Sequence, residues 1–278
     1  MNVRGRVGAL AGCAAALAAL ALFVGAGPPQ ARFDEGAAAY QAGDAAGAAA
    51  AWREVVAGGV EDGHAWYDLG NAWYRLGRRG AAVHAWRRAE VLLPRDPDVR
   101  ANLDRVRLEV EDRLEAPAVV PAWLFWQRPL APRESARLAA LLAGSALALA
   151  SVLAARRRGG RGAHAGGWIA VGVLGGAAVL LGLSTAALQR SLAGGAVAVV
   201  LAPEVTARST VGGEGVDLFV LHEGAEAGVR AREGGHVLLT LPDGRWGWLP
   251  RAAVATLDPA EVPPEPPAPR AGDATGVL

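Results

Sequence analysis

The chain contains no lysine: its 28 basic residues are all arginine. A P-loop needs a lysine to reach the β- and γ-phosphates, so that chemistry is excluded. Cysteine is almost as scarce. The single Cys13 lies in an N-terminal apolar run, which leaves no disulfide, no CxxC pair, no cysteine zinc site and no mature cysteine nucleophile. Charge of one sign is also lacking. The formal net charge is +1, so there is no bulk electrostatic reason to expect a nucleic-acid partner. The five histidines show no ligand spacing. His222-Glu223 begins like a zinc motif, but Gly224, Ala225 and Glu226 follow, with no second histidine one turn on. His222 therefore reads as an exposed turn residue. His64 and His84 read as solvated or groove-facing on helices, His164 as part of an arginine-rich loop, and His236 as the start of a strand. No catalytic, cofactor-binding or metal site can be assembled, and an enzyme is not expected.

What is present is a repeat. Gly36, Tyr40, Gly43, Ala48 and Trp52 recur as Gly70, Tyr74, Gly77, Ala82 and Trp86, at a constant offset of 34 residues. The second copy is the fuller one. It carries Trp66, Leu69, Gly70, Trp73 and Tyr74, then Ala82, Trp86 and Ala89, and closes with Pro94. Small residues stand where two helices must approach, and large ones where a ring must fill the groove between them. This resembles the tetratricopeptide repeat, a helix–turn–helix unit of about 34 residues. Val99, Leu103, Val106, Val110 and Leu114 form a three-to-four-spaced stripe on a closing amphipathic helix. Residues 30–115 are thus expected to be an all-α repeat region with Trp66, Leu69, Trp86 and Ala89 in its core. Two units and a cap are short for this architecture. The region is expected to lean on a partner, a second copy or the membrane.

The N-terminus, residues 1–26, reads as an export signal. Arg4 and Arg6 precede an apolar run, and Val24-Gly25-Ala26 offers small residues for cleavage. Leu10-Ala11-Gly12-Cys13 also matches a lipoprotein box, although the longer apolar stretch follows Cys13. An uncleaved anchor is the third reading. All three place the following residues outside the cytoplasm. Residues 138–155 and 168–188 are two charge-free apolar runs near span length. The loop between them, 156–167, holds Arg156, Arg157, Arg158 and Arg161 and no acid, so it is expected in the cytoplasm. Both flanks then face the other side, in agreement with the export signal. Gly172 and Gly176 form a GxxxG that could pack the two spans. The preceding segment, 116–137, is punctuated by proline and holds Trp123, Phe125 and Trp126, which suits the headgroup level; a helix docked on the repeats is the alternative.

After the second span the pattern changes to short β-prone runs separated by turn signals, among them Gly234-Gly235 and Pro242-Asp243-Gly244. Residues 196–257 are expected to form a small all-β barrel. Gly244-Arg245-Trp246-Gly247-Trp248-Leu249-Pro250 resembles the end of a bacterial SH3 domain, and Val205-Thr206-Ala207-Arg208-Ser209 a segment earlier in it. Trp246 and Trp248 share one strand face, Gly247 and Leu249 the other. The core is expected to use Leu249 and Trp248, with Trp246 more exposed and Trp248 at the barrel edge, where it can still reach a ligand. That both rings merely cover the core stays open. Residues 258–278 have nothing to bury and are expected to be disordered.

The order of segments is specific: export signal, two repeat units, aromatic-flanked membrane hairpin with a basic loop, SH3-like barrel. With Trp66-Tyr67-Asp68-Leu69-Gly70-Asn71-Ala72, Asp96-Pro97-Asp98 through Asn102-Leu103, and Trp123-Leu124-Phe125-Trp126, it resembles the BatE family of the bacterial aerotolerance (Bat) operons. The resemblance implies a multidomain protein of the inner membrane with two spans and both soluble parts outside the cytoplasm. It also implies association with membrane-anchored von Willebrand factor A-domain proteins and a MoxR-type ATPase. A scaffold that holds a protein partner is one expected role; a peptidoglycan sensor or tether acting through the barrel is the other. The partner groove is expected to be lined by the first helix of each unit: Tyr67, Asn71 and Tyr74, their counterparts Phe33, Ala37 and Tyr40, and Asn102 and Arg105 from the closing helix. Asn71 and Asn102 are expected to hold an extended peptide by its backbone, and Arg105 to engage a carboxylate. Trp246 and Trp248 are the expected ligand face of the barrel.

Overall fold

The computed structural model describes residues 30–59, 61–160, 165–211, 215–259 and 261. The export signal with Cys13, Arg161 and His164 of the basic loop, and the tail from 262 on lie outside the described residues. Two compact units emerge. One is Arg133–Ala186; the other joins residues 30–132 to those from Ala187 onward.

In the larger unit, five helices come first: α1 (Gln30–Gln41), α2 (Ala45–Ala57), α3 (Gly63–Arg75), α4 (Arg79–Leu92) and α5 (Pro97–Glu109). Aspartates start three of them. Asp44 accepts from the Gly47 amide at 2.8 Å, Asp62 from His64 at 2.9 Å, and Asp96 from Asp98 at 2.9 Å with Pro97 in the first turn. Each satisfies a donor that the first helical turn leaves bare. The turns inside the two hairpins need a left-handed residue, and Gly43 (φ 86°) and Gly77 (φ 72°) supply it.

The sequence repeat is a structural repeat. Trp52 Nε1 donates to the Phe33 carbonyl at 3.2 Å, and Trp86 Nε1 to the Tyr67 carbonyl at the same distance. The Tyr40 and Trp52 rings lie 5.6 Å apart, the Tyr74 and Trp86 rings 5.5 Å apart. Each indole covers a glycine: a Cβ on Gly36 would stand 2.6 Å from Trp52, and one on Gly70 2.5 Å from Trp86. The closing helix continues the series. Asp96 stands 34 residues after Asp62, and Val99, Leu103 and Val106 are buried at the offsets of Ala65, Leu69 and Ala72. Trp66, Leu69, Trp86 and Ala89 all lie in this core.

The sheet is antiparallel and seven-stranded: β1 (Val197–Val200), β2 (Glu204–Arg208), β3 (Asp217–His222), β4 (Glu226–Glu233), β5 (His236–Thr240), β6 (Trp246–Pro250) and β7 (Val254–Thr256), in spatial order β3-β2-β6-β5-β4-β1-β7. All seven strands send a residue into one core, including Ala198, Ala207, Leu221, Ala227, Leu239, Leu249 and Val254. Trp248 is not among them. Gly247 and Leu249 face inward, a Cβ on Gly247 would stand 2.8 Å from that of Ala207, and the alternation of the strand turns both tryptophans outward. Trp246 is 45% exposed and Trp248 half-buried.

Read from the sequence as separate segments, the repeats and the sheet pack into one unit, so the repeat stack leans on its own chain. Strand β1 is buried on both faces. Ala198 and Val200 point into the sheet core, while Val199, with Leu201 and Ala255, joins the helical core. The face of α4 that meets the sheet carries polar groups, each with a partner. Arg88 donates to the Leu257 carbonyl at 2.9 Å, and Arg87 lies 2.8 Å from Glu226. Arg78, at the N-cap of α4, provides no side-chain cap. Glu223 replaces it from the sheet, accepting from the Gly80 amide at 2.8 Å. Gly80 itself lies against the Val200 carbonyl, where any Cβ would collide. His84, expected to be solvated or groove-facing, is buried here, because α4 is sandwiched between α3 and the sheet.

Between the helices and the smaller unit, a 3₁₀ turn (Ala122–Gln127) divides its aromatics. Trp123 and Phe125 are exposed, whereas Leu124 packs with Leu188 and Leu192, flanked by Trp126.

The smaller unit is a helical hairpin from α6 (Pro132–Arg158) and α7 (Ala165–Ala193). Both helices are long and apolar enough to cross a membrane. At 27 and 29 residues they exceed the expected runs at both ends. Leu141, Leu147, Ile169, Val173, Val179 and Leu183 are exposed, an apolar surface that water disfavours. Ser135 and Thr185 share a hydrogen bond of 2.5 Å near the open end of the hairpin, and Gly167 faces Leu153 near the other. Gly172 and Gly176 meet no neighbour within 4 Å, so the GxxxG does not pack these two helices together.

Candidate functional site

The first helices α1, α3 and α5 lie side by side, and three of their contacts join a residue to the one 35 positions on. Arg75 lies over the Tyr40 ring, 3.8 Å from its centre. Asn102 Nδ2 donates to the Tyr67 hydroxyl at 3.4 Å, and the Tyr74 hydroxyl donates to Glu109 at 2.7 Å. The repeat offset plus one residue therefore brings Tyr40, Tyr67, Asn71, Tyr74 and Asn102 onto one face, all partly buried. Arg105 is exposed on α5.

The asparagines are more engaged than expected. Asn71 Oδ1 accepts from Trp86 Nε1 at 3.2 Å and from Asn102 Nδ2 at 3.0 Å. They tie α3 to α4 and α5. Among the described residues, Asn71 Nδ2 and Asn102 Oδ1 remain as the amide atoms open to a ligand. Burial raises the pKa of both Tyr40 and Tyr74. Three residues of this face were missed from the sequence: Arg75, Glu109 and Asp68. Burial pushes the Asp68 carboxyl up to about 6, opposed by His64 and aided by Asp62. The 35-residue pairing was the available signal for Arg75 and Glu109. Asp68 gave none, since only the fold shows it to be desolvated.

On the sheet, β2 and β6 pair at a single register point, Arg208 with Trp248. The strands splay, leaving a cleft of about 460 Å³ lined by residues that include Glu204, Thr206, His236, Trp248 and Pro250. Trp248 belongs to this cleft; Trp246 does not line it. His222, expected in an exposed turn, is instead held by α5's trailing segment. Its amide donates to Asp112 at 2.6 Å, and its ring lies 3.3 Å from both Glu111 and Asp112. Among the described residues, no group of three or more His, Cys, Asp or Glu is placed to hold a metal.

Comparison with protein-family models gives no match for this chain, and comparison with curated proteins gives none.

Proposed function

We propose that this chain is a membrane-anchored, non-catalytic scaffold of the BatE type, whose tetratricopeptide repeats hold a protein partner outside the cytoplasm. The observation that carries this reading is the 34-residue recurrence of the Gly–Trp–Tyr packing and of the indole-to-carbonyl bond. Repeats of this kind present their first helices as a binding face. Here the sheet occupies α4, while the α1–α3–α5 face carries aromatic rings, two amide atoms open to a ligand and the exposed Arg105. A peptide could lie across Tyr40, Tyr67, Asn71, Tyr74 and Asn102, with Arg105 on a carboxylate. The two apolar helices anchor the chain in the inner membrane. Arg156, Arg157 and Arg158 at the end of α6 favour the cytoplasm for the connecting loop, which leaves both soluble parts on the opposite side. Membrane-anchored von Willebrand factor A-domain proteins and a MoxR-type ATPase system are the partners this reading names.

A second reading is favoured by the cleft at Trp248: an SH3-like barrel that tethers the chain to peptidoglycan. Affinity capture of the full chain from solubilised membranes separates the two. Recovery of A-domain proteins, lost on Tyr67→Ala with Arg105→Glu, supports the scaffold. Co-sedimentation with purified wall, lost on Trp248→Ala, supports the tether and overturns the scaffold if no protein is recovered.

A further inference from the structure

The segment from Ala116 to Leu130 closes a cavity of about 300 Å³ against α4 and α5. Its lining includes Arg87, Arg100, Arg107 and Arg128 with a single acid, Glu90, and also the apolar Val119, Val120 and Leu188.

The four guanidiniums are not equally compensated. Arg87 is matched by Glu90 at 2.6 Å and Glu226 at 2.8 Å. Arg107 shares Glu226 at 2.9 Å and reaches the exposed Asp104 at 3.5 Å, yet its Nη2 is buried without a hydrogen-bond partner among the described residues. Arg100 donates only to the carbonyl of Pro94, which also lines the cavity. Arg128 is exposed, and neither it nor Arg100 has a carboxylate partner among the described residues. The cavity is therefore lined by two cations without carboxylate partners, with Arg107 beside them. Arginine forks suit the oxygens of a phosphate, and three such groups match its several acceptors better than the two of a carboxylate.

The apolar lining adds a second requirement. A bare oxyanion would leave Val119, Val120 and Leu188 facing water, whereas an ester with an alkyl continuation would cover them. Leu130 lines the cavity two residues before α6 begins at Pro132, and the charge-free run of that helix follows from Leu138.

We propose that this cavity binds a phosphate ester, supplied by the headgroup of an anionic glycerophospholipid. The lipid source rests on the membrane reading of α6 and α7; the phosphate site does not, so the two fail separately. The test titrates the full chain in neutral detergent with dihexanoyl phosphatidylglycerol, dihexanoyl phosphatidylcholine and glycerol phosphate, and counts bound equivalents by native mass spectrometry. One equivalent of phosphatidylglycerol is expected, with phosphatidylcholine about tenfold weaker. Arg100→Gln with Arg128→Gln should weaken phosphatidylglycerol about tenfold without changing thermal melting, since neither residue pairs with a carboxylate. Arg208→Gln, outside the cavity, should leave binding unchanged. Glycerol phosphate binding as tightly as the lipid, and lost in the double variant, upholds the phosphate site and assigns its ligand to solution. Equal retention of phosphatidylcholine, or undiminished binding by the double variant, overturns the proposal.

Discussion

Glu226 on β4 and Arg87 on α4 form an ion pair of 2.8 Å in which both side chains are about 5% exposed or less. It joins the sheet to the helices at a point that water does not reach, and Arg107 approaches the same carboxylate from α5. Removing one partner of a buried pair strands the other charge, which costs about 3–5 kcal/mol. Glu226→Ala removes the buried carboxylate that two arginines share, leaving Arg87 only Glu90 and Arg107 only the exposed Asp104. We expect the soluble part of the chain to melt in one cooperative transition in the wild type and in two in Glu226→Ala, with calorimetry as the measurement. A single unshifted transition would show that the pair does not couple the two layers.

The paired glycines give a test of the repeat itself. A Cβ at Gly70 enters the Trp86 indole, and one at Gly36 enters that of Trp52. Overpacking of this kind costs about 1–3 kcal/mol. Gly70→Ala and Gly36→Ala should each lower the denaturation midpoint of the full chain, and Gly70→Ala with Trp86→Phe should recover part of the loss. Gly144→Ala, where nothing lies within 4 Å, serves as the neutral control.

The sequence made the helical hairpins legible because their packing is local: each glycine and its tryptophan lie 16 residues apart in both copies. The strands up to β6 were legible from β-prone runs and turn glycines, whereas the short β7 was not. What stayed hidden depends on long-range packing. Nothing near His84 in the sequence shows that the Thr256 carbonyl will accept its hydrogen bond, or that Glu223 will cap the helix that Arg78 does not. The outward turn of Trp248 was written in the alternation of Trp246-Gly247-Trp248-Leu249, although Trp248 was also expected to serve the core; the inward place goes to Gly247, which stands against Ala207. Asn71 and Asn102 were expected on one face, but their mutual bond, across 31 residues, depends on how α3 and α5 pack side by side.

His84 makes the docked sheet sensitive to acid. Its Nε2 donates to the Thr256 carbonyl at 2.9 Å, which leaves Nδ1 unprotonated, and that atom is buried without a hydrogen-bond partner among the described residues. Burial pushes the pKa down to about 4; the Thr256 bond opposes this and Arg88 reinforces it. The unfolded chain takes the proton near the ordinary value of about 6.5. Above that pH both states are neutral and the stability is full. As pH falls toward about 4, only the unfolded chain is protonated, so stability drops, by at most about 3 kcal/mol. Asp68 acts oppositely in this window: its raised pKa makes stability fall as pH rises from about 4 to about 6. The His84 effect is therefore read as a difference. Urea melts at pH 7 and 4.5 should show a smaller acid loss in His84→Gln, which keeps a donor for Thr256, than in the wild type. Equal losses would place the acid sensitivity elsewhere.

On the proposed partner face, groups that hold the fold can be told apart from groups that would meet a ligand. Asn71 Oδ1 accepts from both Trp86 and Asn102, so Asn71→Ala removes two bonds between helices. Trp86 keeps its bond to the Tyr67 carbonyl, which limits the loss to about 1–2 kcal/mol. The asparagine substitution is thus expected to lower the melting temperature, against the simpler view that it would leave the fold untouched. Arg105 is exposed, and reversing its charge with Arg105→Glu should leave melting unchanged. If the face receives a carboxylate-bearing peptide, Arg105→Glu should nonetheless weaken partner capture from membranes more than Asn71→Ala does. Melting and capture measured on the same two variants decide the matter. Loss of capture that merely follows loss of stability would assign the face a structural role, and the partner would have to dock elsewhere.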